Sequence, residues 1–201
     1  MVKDRRRANR PLFYRALWRY PCNWVGGLRL LLLAAALVVH WGEWGQYWRW
    51  SFVGLMGSAA LLDLLDGYLA RRLGHLSRFG TTFDFLTDQI SHTVLWLASG
   101  SPVAVPLMLL EWCTLVVALR RALVGDEHWK ETLLARGGRL VRVYFGRNQR
   151  NVLAGLGVVS HFALPAALYL GLPAWAVWPW APGVLLYAWV TLLMLGALRK
   201  G

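Results

Sequence analysis

The sequence predicts an all-α integral membrane protein, with six transmembrane helices and an N-terminal amphipathic helix at the membrane interface. Three observations predict it. The 201 residues are 57% hydrophobic, include 13 Trp and have a mean hydropathy of +0.41, too apolar for a soluble domain. Apolar segments recur at close to the roughly 20 residues that span a bilayer. Basic residues are one-sided: of 22 Lys and Arg, only Arg49 falls on the minority side when six helices alternate.

The elements follow in order. Residues 1–22 form an amphipathic juxtamembrane segment in which Lys3, Arg5, Arg6, Arg7, Arg10, Arg15 and Arg19 interleave with Leu12, Phe13, Tyr14, Leu17 and Trp18. No small-residue cleavage site follows the first apolar run, which reads as a retained anchor. Residues 23–201 form one membrane domain. Its apolar segments lie at about 24–41, 50–70, 83–100, 103–124, 151–170 and 174–198. Gly100 to Pro102 and Gly171 to Pro173 punctuate the junctions. The stretch 125–150 is the one long polar loop, with room for a short surface helix.

The one-sided charge places both termini and residues 63–88 on the cytoplasmic side of a multi-pass membrane protein. Trp41, Trp44, Trp48 and Trp50, with Trp175, Trp178 and Trp180, form an aromatic belt on the opposite face. The net charge of +12 would suggest nucleic acid in a soluble protein. Here the basic residues border apolar segments, so membrane lipid and phosphate are the expected partners and nucleic acid is not. Cys22 and Cys113 sit in unlike surroundings and have no zinc-site spacing, so neither a disulfide nor a zinc site is expected.

Against this apolar background, four of the ten acidic residues fall within residues 63–88. Asp63 and Asp66 are i,i+3, and Asp84 and Asp88 are i,i+4, so each pair shares one helix face. Carboxylates near lipid are costly and mark functional sites. Two such helices side by side gather oxygen donors suited to hard divalent cations. An acidic salt-bridge cluster or an ion pathway would use the same acids. Gly67 reads either as close approach of ligand to backbone or as helix packing through a small residue, at about 1 kcal/mol against Ala. Ala70 carries the same two readings. Arg71 offers a donor fork suited to phosphate, or snorkels to the interface.

Asp63, Asp66, Gly67, Ala70, Arg71, Gly80, Asp84 and Asp88 follow the spacing D-x2-D-G-x2-A-R-x8-G-x3-D-x3-D. This resembles the signature of the CDP-alcohol phosphotransferase (phosphatidyltransferase) family, bacterial phospholipid synthase type. Pro21, Asn23 and Arg29 resemble the family's opening P-N-x-x-T-x-x-R, with Cys22 inserted and Gly26 where Thr is usual. Gly146, Arg147 and Arg150 resemble a basic segment of bacterial family members.

The resemblance implies a membrane enzyme of phospholipid biosynthesis. It would transfer a phosphatidyl group from CDP-diacylglycerol to a small polar alcohol and release CMP. It implies two divalent cations, Mg²⁺ or Mn²⁺, held by Asp63, Asp66, Asp84 and Asp88, with Asp88 also the general base. It assigns the CDP moiety to Asp66, Gly67, Ala70, Arg71 and Gly80, and phosphate contacts to Arg147 and Arg150. Family members are often homodimers. The alternative within the family is transfer from CDP-choline or CDP-ethanolamine to diacylglycerol. A divalent-cation transporter or a non-enzymatic membrane protein would draw on the same composition. Gln89 stands where glycerophosphate-using members carry Lys, so the acceptor is left open. Glu111 in an apolar segment and His92, one turn past Asp88, are further polar residues, each with a site reading and a packing reading.

Overall fold

The computed structural model describes residues 21–73, 78–124 and 129–199, and the regular structure in them is helical. The chain runs through α1 (Pro21–Gly42), α2 (Trp48–Leu73), α3 (Arg78–Ala98), α4 (Ala104–Val124), α5 (Trp129–Arg136) and α6 (Arg139–Phe145). A 3₁₀ turn (Gly146–Gln149), α7 (Val152–Tyr169), α8 (Ala174–Val177), a second 3₁₀ turn (Trp178–Trp180) and α9 (Ala181–Arg199) complete it. Residues 1–20, where the amphipathic helix is expected, lie outside the described residues.

Each apolar segment of the sequence emerges as a helix within a few residues of its expected bounds. The exception is the last, which the 3₁₀ turn at Trp178–Trp180 divides, with Pro179 early in that turn. Among the described residues, three stretches are long and apolar enough to cross a membrane: Trp24–Gly42, Val152–Tyr169 and Ala174–Arg199. The helices α2, α3 and α4 are of similar length but carry the acids and several arginines, which lower their hydropathy.

The junctions have local causes. Gly171 adopts φ +68° after α7. Its N–H bonds Leu168 O, and Leu172 N–H bonds Ala167 O, both at 3.0 Å, the paired bonds of a Schellman stop. Asn151 caps α7 by accepting from Ala154 N–H at 2.9 Å. Its amide donates back to Val143 O and Tyr144 O, both at 3.0 Å, tying the end of α6 to the start of α7. The segment expected as a polar loop is therefore packed. Thr132, Leu133, Val141 and Tyr144 are buried, and Leu133 and Val141 share a core cluster with Ala118, Met194 and Leu198. Its hydrophobics are too sparse among arginines to give an apolar run, yet they cover the ends of α4 and α9.

Helices α1 and α2 pack along each other. A core of Leu33, Ala36, Phe52, Met56, Ala59 and Leu95 joins them to α3, and Ala166 and Tyr169 join them to α7. A second core, including Trp96, Met108, Leu164 and Val184, lies between α3, α4, α7 and α9. Large apolar side chains also face outward, among them Leu31, Leu61, Leu64, Val105, Leu109, Val116, Leu185 and Leu192. Of the aromatic belt, Trp41, Trp44, Trp50, Trp175 and Trp178 are exposed. Trp48 instead packs edge-on against Tyr169, with ring centroids 5.7 Å apart. The start of α1, the end of α2 and the start of α3 share one end of the bundle, and that end carries the acids.

Candidate active site

Helix α2 carries Asp63 to this end, and α3 carries Asp84 and Asp88 on successive turns. The carboxylates of these three residues offer oxygens within 4.8 Å of one another, each side chain partly exposed. Arg29 of α1 is buried among them. Its Nη1 donates to Asp63 Oδ1 and Asp84 Oδ1, each at 2.7 Å, and its Nη2 donates to Asp88 Oδ1.

Gly26 explains how α1 comes so close. A Cβ at this position would lie 2.6 Å from the Phe83 ring on α3. Gly26 and Arg29 are i,i+3 on one face of α1, so the missing side chain lets α1 settle against α3 with Arg29 beside the acids.

The donor set fits divalent cations. Three carboxylates meet one guanidinium, a formal charge of −2 among these four groups when all are ionised. Clustered oxygens in a low-dielectric setting demand further positive charge, and hard divalent ions take oxygen donors.

Asp66, Gly67, Ala70 and Arg71 occupy the last turns of α2, and Gly80 the first turn of α3. Their backbones are helical, and their side chains lie outside what is described. The same holds for Arg147 in the 3₁₀ turn. Arg150 is exposed just before α7. A cavity of about 340 Å³ lined by Arg142, Val143, Gly146 and Asn151 adjoins that segment, and none of the aspartates lines it.

A second polar layer lies deeper in the bundle. Gln89 Nε2 donates to Glu111 Oε2 at 3.0 Å. His92 Nδ1 lies 3.4 Å from the same oxygen, and His161 Nε2 lies 2.9 Å from Glu111 Oε1. Trp96 Nε1 donates to His161 Nε2 at 3.2 Å. The Tyr187 ring stacks on His161 with centroids 4.0 Å apart. Glu111 thus accepts from an amide and lies beside two imidazoles.

Sequence reasoning identified the aspartates but gave Arg29 no role beyond a match to the opening pattern. The signal was present: an arginine within an otherwise apolar helix is expensive unless paired. His161 offers no such signal, because its partners lie on other helices, far away in sequence.

No curated protein and no solved structure matches this chain. One family model does match, that of the CDP-alcohol phosphatidyltransferases, over residues 20–198. With nearly the whole chain covered and three of the signature aspartates, Asp63, Asp84 and Asp88, drawn together around Arg29, the protein belongs to the CDP-alcohol phosphatidyltransferase family and is a transferase of substituted phosphate groups.

Proposed function

We propose that this enzyme transfers a phosphatidyl group from CDP-diacylglycerol to a small polar alcohol and releases CMP. The observation that carries the reading is the convergence of Asp63, Asp84 and Asp88 from two helices, within 4.8 Å of one another, at one end of an apolar bundle. Family membership supplies phosphatidyl transfer from a CDP-alcohol in a membrane.

The chemistry then follows. The acceptor hydroxyl attacks the lipid-linked phosphorus of the donor's pyrophosphate. The bond from that phosphorus to the bridging oxygen breaks, and the oxygen leaves with CMP. An alcohol is a weak nucleophile until its proton is removed, and Asp88 takes that proton. Asp63, Asp66, Asp84 and Asp88 would hold two divalent cations, Mg²⁺ or Mn²⁺, which when bound would neutralise charge on the reacting and leaving groups. Arg29 fixes the carboxylates of Asp63, Asp84 and Asp88 relative to one another. Asp66, Gly67, Ala70, Arg71 and Gly80 take the CDP moiety, and Arg147 and Arg150 contact phosphate.

In this reading residues 23–201 form one membrane domain with six spans: α1, α2, α3, α4, α7 and the stretch from α8 through α9. Outward apolar side chains on α2 and α4, such as Leu61, Leu64, Val105, Leu109 and Val116, support lipid contact for the more polar helices. Both termini and the site face the cytoplasm of a bacterial inner membrane, because Lys and Arg crowd that side. A homodimer is part of the proposal on family grounds alone.

The test is CMP release by full-length protein in lipid nanodiscs. The assay supplies CDP-diacylglycerol, Mg²⁺ or Mn²⁺, and a panel of alcohols: glycerol, glycerol 3-phosphate, inositol, inositol phosphate, serine and choline. Release that depends on one acceptor is expected. Silence with every acceptor, but CMP release from CDP-choline with diacylglycerol, would reverse the roles of donor and acceptor.

A further inference from the structure

Below the aspartates, the same face of α3 carries a histidine held from behind. Asp84, Asp88 and His92 follow one another at four-residue steps, so they line one wall. Exposure falls along it: the side chains keep 42%, 37% and 23% of their surface, while Glu111 behind His92 keeps 2%. Trp96, one turn further, is fully buried. Accessible side-chain surface therefore runs down this face of α3 from the acids and ends at His92.

The two nitrogens of His92 differ. Nδ1 faces Glu111 Oε2 at 3.4 Å, and the ring meets His161 edge to face with centroids 4.6 Å apart. Glu111 is itself held by Gln89 and lies against His161. Among the described residues none hydrogen-bonds His92 Nε2, although the side chain remains accessible. A carboxylate at one imidazole nitrogen fixes the ring and presents the other nitrogen to a ligand. A histidine that merely filled the core would have both nitrogens engaged or enclosed.

We propose that His92 binds a hydroxyl of the acceptor through Nε2, in a subsite directly beneath Asp88, with Glu111 as its positioning residue. The inference rests on the phosphatidyl-transfer reading above and names the acceptor class within it: an uncharged polyol. Asp88 and His92 are separated by about 6 Å of helix rise, so a molecule with its reacting hydroxyl at Asp88 can reach His92 with a second one. His92 with Glu111 behind it carries no net positive charge in either protonation state of the imidazole. That surface suits a hydroxyl, which can both donate and accept, better than a phosphate.

Steady-state kinetics in nanodiscs test this, with CDP-diacylglycerol as donor and glycerol, myo-inositol or glycerol 3-phosphate as acceptor. Wild-type turnover with glycerol or myo-inositol is expected. His92→Leu should raise the KM for that polyol roughly tenfold, the loss of about one hydrogen bond, with the donor KM within about twofold. The unchanged donor KM also shows that the variant is folded. His92→Gln, which places an amide near the Nε2 position, should recover most of the loss, and Glu111→Gln should raise the polyol KM without changing the donor KM. An unchanged polyol KM in His92→Leu, or equal loss for donor and acceptor, overturns the subsite while wild-type CMP release keeps the transfer reading intact. Wild-type turnover with glycerol 3-phosphate alone overturns the acceptor class. No CMP release by wild type with any acceptor removes the transfer reading and this inference with it.

Discussion

At the scale of single residues, the site is governed by charge held in an apolar setting. Asp88 accepts the acceptor's proton in the proposed reaction besides its share in holding the cations, which Asp63, Asp66 and Asp84 can still hold without it. Asp88→Asn should therefore cut turnover at least about a hundredfold, the lower range for a positioned general base. It should leave substantial binding of a CDP-linked donor, measured by calorimetry with Mn²⁺ present. Arg29 balances three carboxylates. Arg29→Ala leaves them facing one another, and removing one partner of such a group is strongly destabilising. The expected outcome is a lower Tm in EDTA, with part of the loss recovered when Mn²⁺ is added, read by thermal unfolding in detergent. Equal losses in both conditions would mean that the cations do not share the charge of this cluster. The aspartates were legible in the sequence because their spacing is fixed within two adjacent helices. The group of Gln89, His92, Glu111 and His161 was not, because its members come from three helices and touch only when α3, α4 and α7 pack.

At the scale of elements, close approach of helices decides whether the site assembles. The Phe83 ring lies where a Gly26 Cβ would be, so Gly26→Ala must move either α1 or the ring. The expected cost is about 1–3 kcal/mol, typical of overpacking, with a fall in kcat because Arg29 moves with α1. Phe83→Leu in the same chain should recover part of both losses, and a double-mutant cycle on Tm and kcat measures the coupling. Elsewhere, the Tyr144 hydroxyl of α6 is buried with no hydrogen-bond partner among the described residues, and burial pushes its phenol up to about 12. Removing an unsatisfied buried hydroxyl relieves its desolvation cost, so Tyr144→Phe should keep or raise stability, by up to about 1 kcal/mol, and leave turnover unchanged. Because the folded-state value is raised, Tyr144 contributes no pH dependence until the unfolded phenol titrates near pH 10. Above that pH, wild type should lose stability relative to Tyr144→Phe. Helix positions were legible from apolar run length. The packing of α5 and α6 was not, since four buried residues among arginines make no run.

At the scale of the whole molecule, the bundle departs from the usual arrangement of a soluble protein. Many leucines and valines face outward as well as into the cores, while Arg29, Gln89, Glu111 and His161 are buried. That departure agrees with lipid as the surrounding solvent, and composition alone had announced it. What composition could not give is which polar side chains meet inside. The proposed orientation rests on the one-sided Lys and Arg. Reporters fused at Lys200 should read cytoplasmic, and a cysteine placed at Gly45, between α1 and α2, should react with an impermeant thiol reagent only from the opposite face. Labelling of that cysteine from the cytoplasmic side would reverse the proposed topology.

The measurement that tests the central claim most directly is lipid product formation from CDP-diacylglycerol, followed together with CMP by mass spectrometry. Wild type and Asp88→Asn are compared in nanodiscs, with Mn²⁺ or with EDTA, in the presence of the acceptor panel. The expected result is one new phospholipid in equal amount to CMP, formed by wild type with Mn²⁺ and nearly absent with EDTA or in Asp88→Asn. Product formed at near wild-type rate by Asp88→Asn, or undiminished in EDTA, would contradict it.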